Sequence, residues 1–177
     1  ADEVITGVGR LGTYFGTERF GVNPDITTVA KALTSGYAPL GAAIATKRIA
    51  DAFVGDESRT FKHLITFGGH PVACAAGLAN LKIFENEDLV GNSDRMGTYL
   101  FEQLQTLYNH KIVGDVRGGT GLLAAVELVA DRETKESFPV SAELSKKIPA
   151  KLYEKKLVSF RAGDVISICP PLVVTKG

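Results

Sequence analysis

The sequence has 177 residues and 18.8 kDa, with 20 Lys+Arg against 20 Asp+Glu. At 45% hydrophobic and 23% charged it is too apolar for disorder, and its zero net charge argues against a general nucleic-acid binder. No apolar run approaches the ~20 residues that span a bilayer, and no basic start with a greasy stretch marks a secretory signal, so the expectation is a cytoplasmic protein without nucleic-acid or membrane partners.

The length allows one domain, or one plus a small second one. Cys74 and Cys169 lie far apart and outside any CxxC pair, which excludes a zinc ribbon or thioredoxin motif. They read as two buried thiols of a cytoplasmic protein, Cys74 packing among small residues. The 19 glycines cluster at 7–21, 36–41, 68–77 and 114–121, which signals tight turns and close backbone approach. The chain opens without Met and ends on an apolar, extended stretch, so a segment of a longer chain is expected.

Ala1 to Thr6 reads as the last part of a strand running into Gly7. Residues 22–30 hold a turn and then a buried, β-branched strand, and 40–46 a second apolar strand. Lys47 to Phe53 predicts a short helix. A long helix starts at Pro71, which suits a first helical turn; Val72, Ala75, Ala76, Ala79 and Ile83 share one face and are the candidate core. Glu85 to Asp88 breaks the pattern before Met96, Leu100, Leu104 and Leu107 mark a second amphipathic helix.

Beyond residue 108 the pattern changes. Val113 to Arg117 and Leu122 to Val129 read as strands around Gly118-Gly119-Thr120-Gly121, and Asp131 to Pro139 as a polar loop. Ser141 to Lys156 reads as a charged helix with Ser141 as N-cap, and 157–160 and 164–168 as two more strands. Residues 1–107 thus read as α/β and 108–177 as a small α+β domain.

Gly7, Gly9 and Gly12 match G-x-G-x-x-G, which would make the chain an NAD-dependent oxidoreductase. That motif works only between a strand and a helix N-terminus. Here it leads into Gly16, Gly21 and Asn23-Pro24, a loop, which disfavours dinucleotide binding. Asp2 stands at the C-terminal end of a strand, where open α/β sheets bind ligands; it can hold a cation or a protonated ring nitrogen, or simply cap the next turn. Lys31 emerges from a buried strand into a Gly/Ser turn, where burial makes an amine nucleophilic; the alternative is a lysine reaching solvent. Thr66 to Pro71 offers a hydroxyl and bare amides before a helix, either a phosphate contact or an ordinary cap. His63 and His70 lack a third ligand at metal spacing, so no metal is expected.

The order of these pieces resembles the class III aminotransferases, enzymes of pyridoxal 5'-phosphate (PLP). The resemblance is carried by Asp2 to Gly12, Pro24 to Lys31, Ser35 to Ala42 and Thr66 to Ala79, and extends through Gly114 to Gly118 and Cys169 to Leu172. Leu11 to Gly16 and Ser35 to Leu40 look most like the branch that moves an amino group from ω-amino acids or amines to an oxo acid such as pyruvate. The resemblance implies a PLP-dependent transferase type I (aspartate aminotransferase-like) fold. This chain would hold the second part of its large domain, with a long connecting helix, over 1–107, and a truncated small C-terminal domain over 108–177. An N-terminal portion with the main phosphate-binding loop and a final helix would lie outside it.

The resemblance also implies roles. Lys31 matches the lysine that carries PLP as a Schiff base. Asp2 matches the carboxylate paired with the pyridine nitrogen, and Val4 the residue packed on one ring face. Thr66 matches the threonine that contacts the phosphate from the neighbouring subunit, in a homodimer or dimer of dimers. Arg161 is offered as the arginine that receives a substrate carboxylate, although its spacing to Cys169-Pro170-Pro171 is one residue short. Val8 stands where Phe is frequent and Ala32 where Gly is. A relative that binds PLP without transferring amino groups is the alternative, and the Lys31/Asp2 pair speaks against it.

Overall fold

The computed structural model describes residues 1–176, and of 160–162 the backbone alone. It divides into two compact units, Ala1–Gly91 and Asn92–Gly177. No helix among the described residues is long and apolar enough to cross a membrane.

In the first unit, the chain start lies parallel to strand β1 (Ile26–Val29): Asp2 bridges Thr28, Glu3 N donates to Thr28 O at 2.9 Å and Thr28 N to Ala1 O at 2.9 Å. The extended stretch is shorter than the sequence suggested and ends at Glu3, after which residues 4–11 form turns. The cause is local. Gly7 N folds back onto Glu3 O at 3.0 Å, and a Cβ on Gly7 would stand 2.6 Å from that oxygen, so only glycine fits. The glycine motif leads into α1 (Gly16–Arg19), a four-residue helix without the length of a dinucleotide-binding one.

Strand β2 (Ala42–Ala45) pairs antiparallel with β1, Ile26 opposite Ala45. The two strands differ in burial. β1 buries Thr27 and Val29 by alternation, whereas every residue of β2 is exposed. The short helix α2 (Lys47–Asp51) follows, and no residue of 41–72 is buried.

Helix α3 (Pro71–Asn86) has Pro71 in its first turn, as expected, but buries a different face. Ala73, Gly77 and Phe84 are buried, while Val72, Ala75, Ala79 and Ile83 are exposed. The reason is proximity of backbone. A Cβ on Gly77 would meet Leu40 Cδ2 at 3.1 Å and Leu33 O at 3.7 Å, so the small-residue face is the one that can lie against the turn at 31–40. Side-chain apolarity pointed the other way. The break at 85–88 is real: Asp88 takes φ +48° and α4 (Leu89–Gln105) begins next.

In the second unit, strands β3 (Val113–Arg117) and β4 (Ala124–Leu128) flank the glycine turn. Helix α5 (Leu144–Glu154) follows. The strands β5 (Phe160–Ala162) and β6 (Val165–Ile168) complete an antiparallel sheet in the order β3-β4-β6-β5. Val113, Val116, Val126 and Leu128 form its buried centre, with Phe101, Leu104 and Leu107 of the α4 segment and Ile148 of α5 against them. This is a helices-on-sheet packing, with the heptad-like leucines where periodicity placed them. Ser141 is not the cap of α5. It lies in a 3-10 turn, Val140–Ala142, and the helix starts after Glu143, which takes φ +53°. The thiols are both free, as expected, but neither is fully buried: Cys74 is half-buried and Cys169 exposed at the end of β6, where the sheet stops before Pro170-Pro171.

Candidate functional site

Side chains alternate across a strand, so neighbours point to opposite faces. Asp2 and Glu3 illustrate this. Asp2 lines a cavity of about 320 Å3 with Val4, Ile5 and Lys31. Glu3 points the other way and is 2% exposed.

The Asp2 carboxylate is oriented by its own turn: Val4 N donates to Oδ1 at 3.0 Å. The second oxygen accepts no hydrogen bond among the described residues. Val4 and Ile5 supply apolar surface beside it. Lys31 comes from the adjacent strand. Directly after β1 the backbone changes course, and Lys31 takes φ +36° in the 3-10 turn Lys31–Leu33. A left-handed conformation in a residue with a Cβ costs roughly 1–3 kcal/mol and is kept where the surroundings over-determine it. The strain aims a lysine, which a continued strand would have placed elsewhere, at the cavity beside Asp2. Lys31 is exposed, the solvent-reaching one of the two readings its position allowed, and its ammonium meets no acceptor among the described residues. The cavity is open, so solvent reaches the amine.

The remaining candidates are Thr66 and Arg161. Thr66 is exposed, in the turn Thr66–Gly69 that precedes α3, and does not line the Asp2/Lys31 cavity. The backbone of Arg161 pairs with Ile166 in the sheet of the second unit, and its side chain lies outside the described residues. No group of His, Cys, Asp or Glu among the described residues is arranged to hold a metal.

Glu3 was not singled out from the sequence. Its Oε2 accepts from the Thr6 hydroxyl and from Gly16 N at 3.0 Å, and its Oε1 accepts from Thr17 N at 2.7 Å. Burial works against its charge, but these donors outweigh it and hold the carboxyl below the usual glutamate range. The carboxylate thereby ties the Asp2 segment to the start of α1. The available signal was strand alternation, which sets an acid inward next to one facing out.

A carboxylate, an amine and an apolar wall in one cavity suit a heteroaromatic cation bearing a carbonyl. The comparisons with known proteins agree. The family model for aminotransferase class-III matches residues 1–177.

The chain belongs to the class III aminotransferases.

It is 44% identical to the uncharacterized aminotransferase YhxA of Bacillus subtilis, over 99% of this chain and 40% of that protein. It is 41% identical to the taurine–pyruvate aminotransferase of Bilophila wadsworthia, over 99% of this chain and 40% of that one. Among solved structures it superposes with a TM-score of 0.93 on an (S)-enantioselective omega-transaminase from Thermomicrobium roseum, at 43% identity, covering 99% of this chain and 39% of that chain. The chain therefore spans about 40% of the length of the relatives it matches. Class III aminotransferases use PLP, and the Asp2, Val4 and Lys31 set fits that cofactor chemically.

Proposed function

We propose that this chain forms part of an enzyme that moves an amino group from an ω-amino acid or amine to an oxo acid such as pyruvate. The observation that carries the reading is the convergence of Asp2, Val4 and Lys31 on one cavity. PLP, when bound, supplies an electron sink for the carbanion left as the substrate's Cα–H bond breaks.

Lys31 would carry the cofactor through its ε-amine. Asp2 would hold the ring nitrogen protonated, because an anion close by favours the cation. Val4 would pack on one face of the ring and exclude water there. With its ε-amine free, Lys31 would be placed to take the proton from the substrate's Cα and to hand it back, a single base serving as acid in turn. Thr66 would donate its hydroxyl to the phosphate of the neighbouring subunit's cofactor in a homodimer or dimer of dimers. Its exposure and its absence from the lining of this chain's own cavity support that role. Arg161 would receive a substrate carboxylate. Residues 1–107 would complete the cofactor domain and 108–177 the small domain, in a cytoplasmic enzyme.

The test is borohydride reduction of the intact holoenzyme followed by peptide mapping, with a donor and acceptor screen. A yellow protein reduced to a stable adduct on Lys31, turning over an amine with pyruvate, is expected. An adduct on another lysine would overturn the assignment.

A further inference from the structure

Lys31 sits in a strained backbone conformation, and something must hold it there. Leu33 N donates to Ala30 O at 2.8 Å and closes the turn across the lysine. Two further carbonyls of the turn meet one side chain of α3. Asn80 Nδ2 donates to Ala32 O at 2.8 Å and to Leu33 O at 3.2 Å. Asn80 Oδ1 accepts from the Ser35 hydroxyl at 2.8 Å. One amide thus contacts three residues within four positions of the lysine, using its donor and its acceptor together.

The contact reinforces the weaker half of the turn. Leu33 N to Ala30 O is 2.8 Å and Tyr37 N to Thr34 O is 3.0 Å, but Thr34 N to Lys31 O and Ser35 N to Ala32 O are both 3.3 Å. Ser35 also takes a positive φ, +51°. Two left-handed residues and two stretched bonds leave strain in the turn for a further contact to hold. Asn80 is half-buried, so its bonds are partly shielded from competing water. Gly77, one helical turn earlier, lacks the Cβ that would hold α3 away from Leu33 O. Gly77 sets the approach, and Asn80 makes the bond.

We propose that Asn80 is a positioning residue: it latches the turn that carries Lys31 and so sets where the ε-amine stands relative to Asp2. The proposal rests on the reading of Lys31 as the cofactor lysine. Asn80 does not line the cavity of Asp2 and Lys31. It acts through the backbone of residues 32, 33 and 35.

The experiment compares wild-type holoenzyme with Asn80→Ala, Asn80→Asp and Ser35→Ala. Asn80→Asp keeps an acceptor for Ser35 but loses the donor to both carbonyls. Borohydride mapping is done first on the wild type. For both Asn80 variants, kcat of the donor half-reaction should fall about tenfold, since small misplacements of a reacting group are costly in rate, while KM for the donor changes less than about twofold. Visible circular dichroism of the bound cofactor should lose amplitude, and cofactor release should quicken by about tenfold. Ser35→Ala removes an exposed hydroxyl and should shift the same three readouts in the same direction, by about threefold. A purely structural asparagine predicts a lower melting temperature with kcat, dichroism and release unchanged, and that result overturns the latch. Should the Asn80 variants not fold, Ser35→Ala decides alone, an unchanged profile counting against the proposal. An adduct away from Lys31 overturns the lysine assignment and the latch with it. An adduct on Lys31 with silent variants overturns only the latch.

Discussion

Adjacent residues of one short segment do opposite work. Asp2 keeps a carboxylate oxygen free toward the cavity, whereas Glu3 spends both of its own on holding the fold. Replacing Asp2 with Asn should weaken cofactor retention and slow the Cα–H step, because a neutral amide cannot stabilise a pyridinium and charge-assisted bonds are roughly twice as strong as neutral ones. Single-turnover rates at saturating PLP measure this, and unchanged rates would contradict the role. Glu3→Gln places an amide donor against the amides of Gly16 and Thr17. The expected cost is about 1.5–3 kcal/mol, the worth of hydrogen bonds to a charged group. The pH dependence has a definite sign. Because the folded pKa of Glu3 is depressed, its contribution is present in full above the ordinary glutamate value of about 4.3 and fades as pH falls below it through the folded value. Denaturant melts of wild type and variant should therefore differ most near neutrality and converge in acid. A gap that widens on acidification would refute the assignment of the charge.

At the level of elements, glycines decide which helix faces are buried. α4 provides the sharper case. A Cβ on Gly97 would stand 2.1 Å from Gly121 O, against backbone that cannot rotate away. Leu122 N donates nearby to Ser93 Oγ at 3.3 Å, and Ser93 is fully buried. Gly97→Ala gains about 1 kcal/mol of helix propensity and loses more through overpacking, typically 1–3 kcal/mol and greater against backbone. Net destabilisation is expected, seen as a lower denaturation midpoint; a more stable variant would show that α4 and the glycine turn separate easily. Periodicity placed α3 and α4 well, since a Pro start and repeating leucines are local signals. It misjudged the buried face of α3, because the rule scores side-chain apolarity and the turn at 31–40 selected the residues that have almost none. The N-cap of α5 failed for a related reason: Ser141 has the right chemistry, but a positive φ at Glu143 starts the helix later.

Across the whole chain, apolar exposure is concentrated. No residue of 41–72 is buried, and within it Leu64 is 96% and Phe67 74% exposed. Several large apolar side chains in one stretch exceed what a monomer ordinarily shows to water. The 177-residue chain by itself should bind a hydrophobic dye strongly, self-associate and hold PLP poorly. Light scattering and a PLP titration check this. A monodisperse, yellow, cooperatively unfolding species would mean that the cavity of Asp2 and Lys31 needs nothing more to work.

The order of motifs was enough to identify the family and to nominate Lys31, Asp2 and Val4 as its candidate site, because family motifs are written in residue type and spacing. Tertiary structure alone showed that Lys31 reaches the cavity through a left-handed turn. It alone showed that Glu3 ties down the segment behind Asp2, and that Asn80, 49 positions beyond the lysine, holds its turn. The physical reason is one of range. Propensity and periodicity act over a few residues, whereas backbone strain and hydrogen bonds between distant segments exist only once packing has brought those segments together.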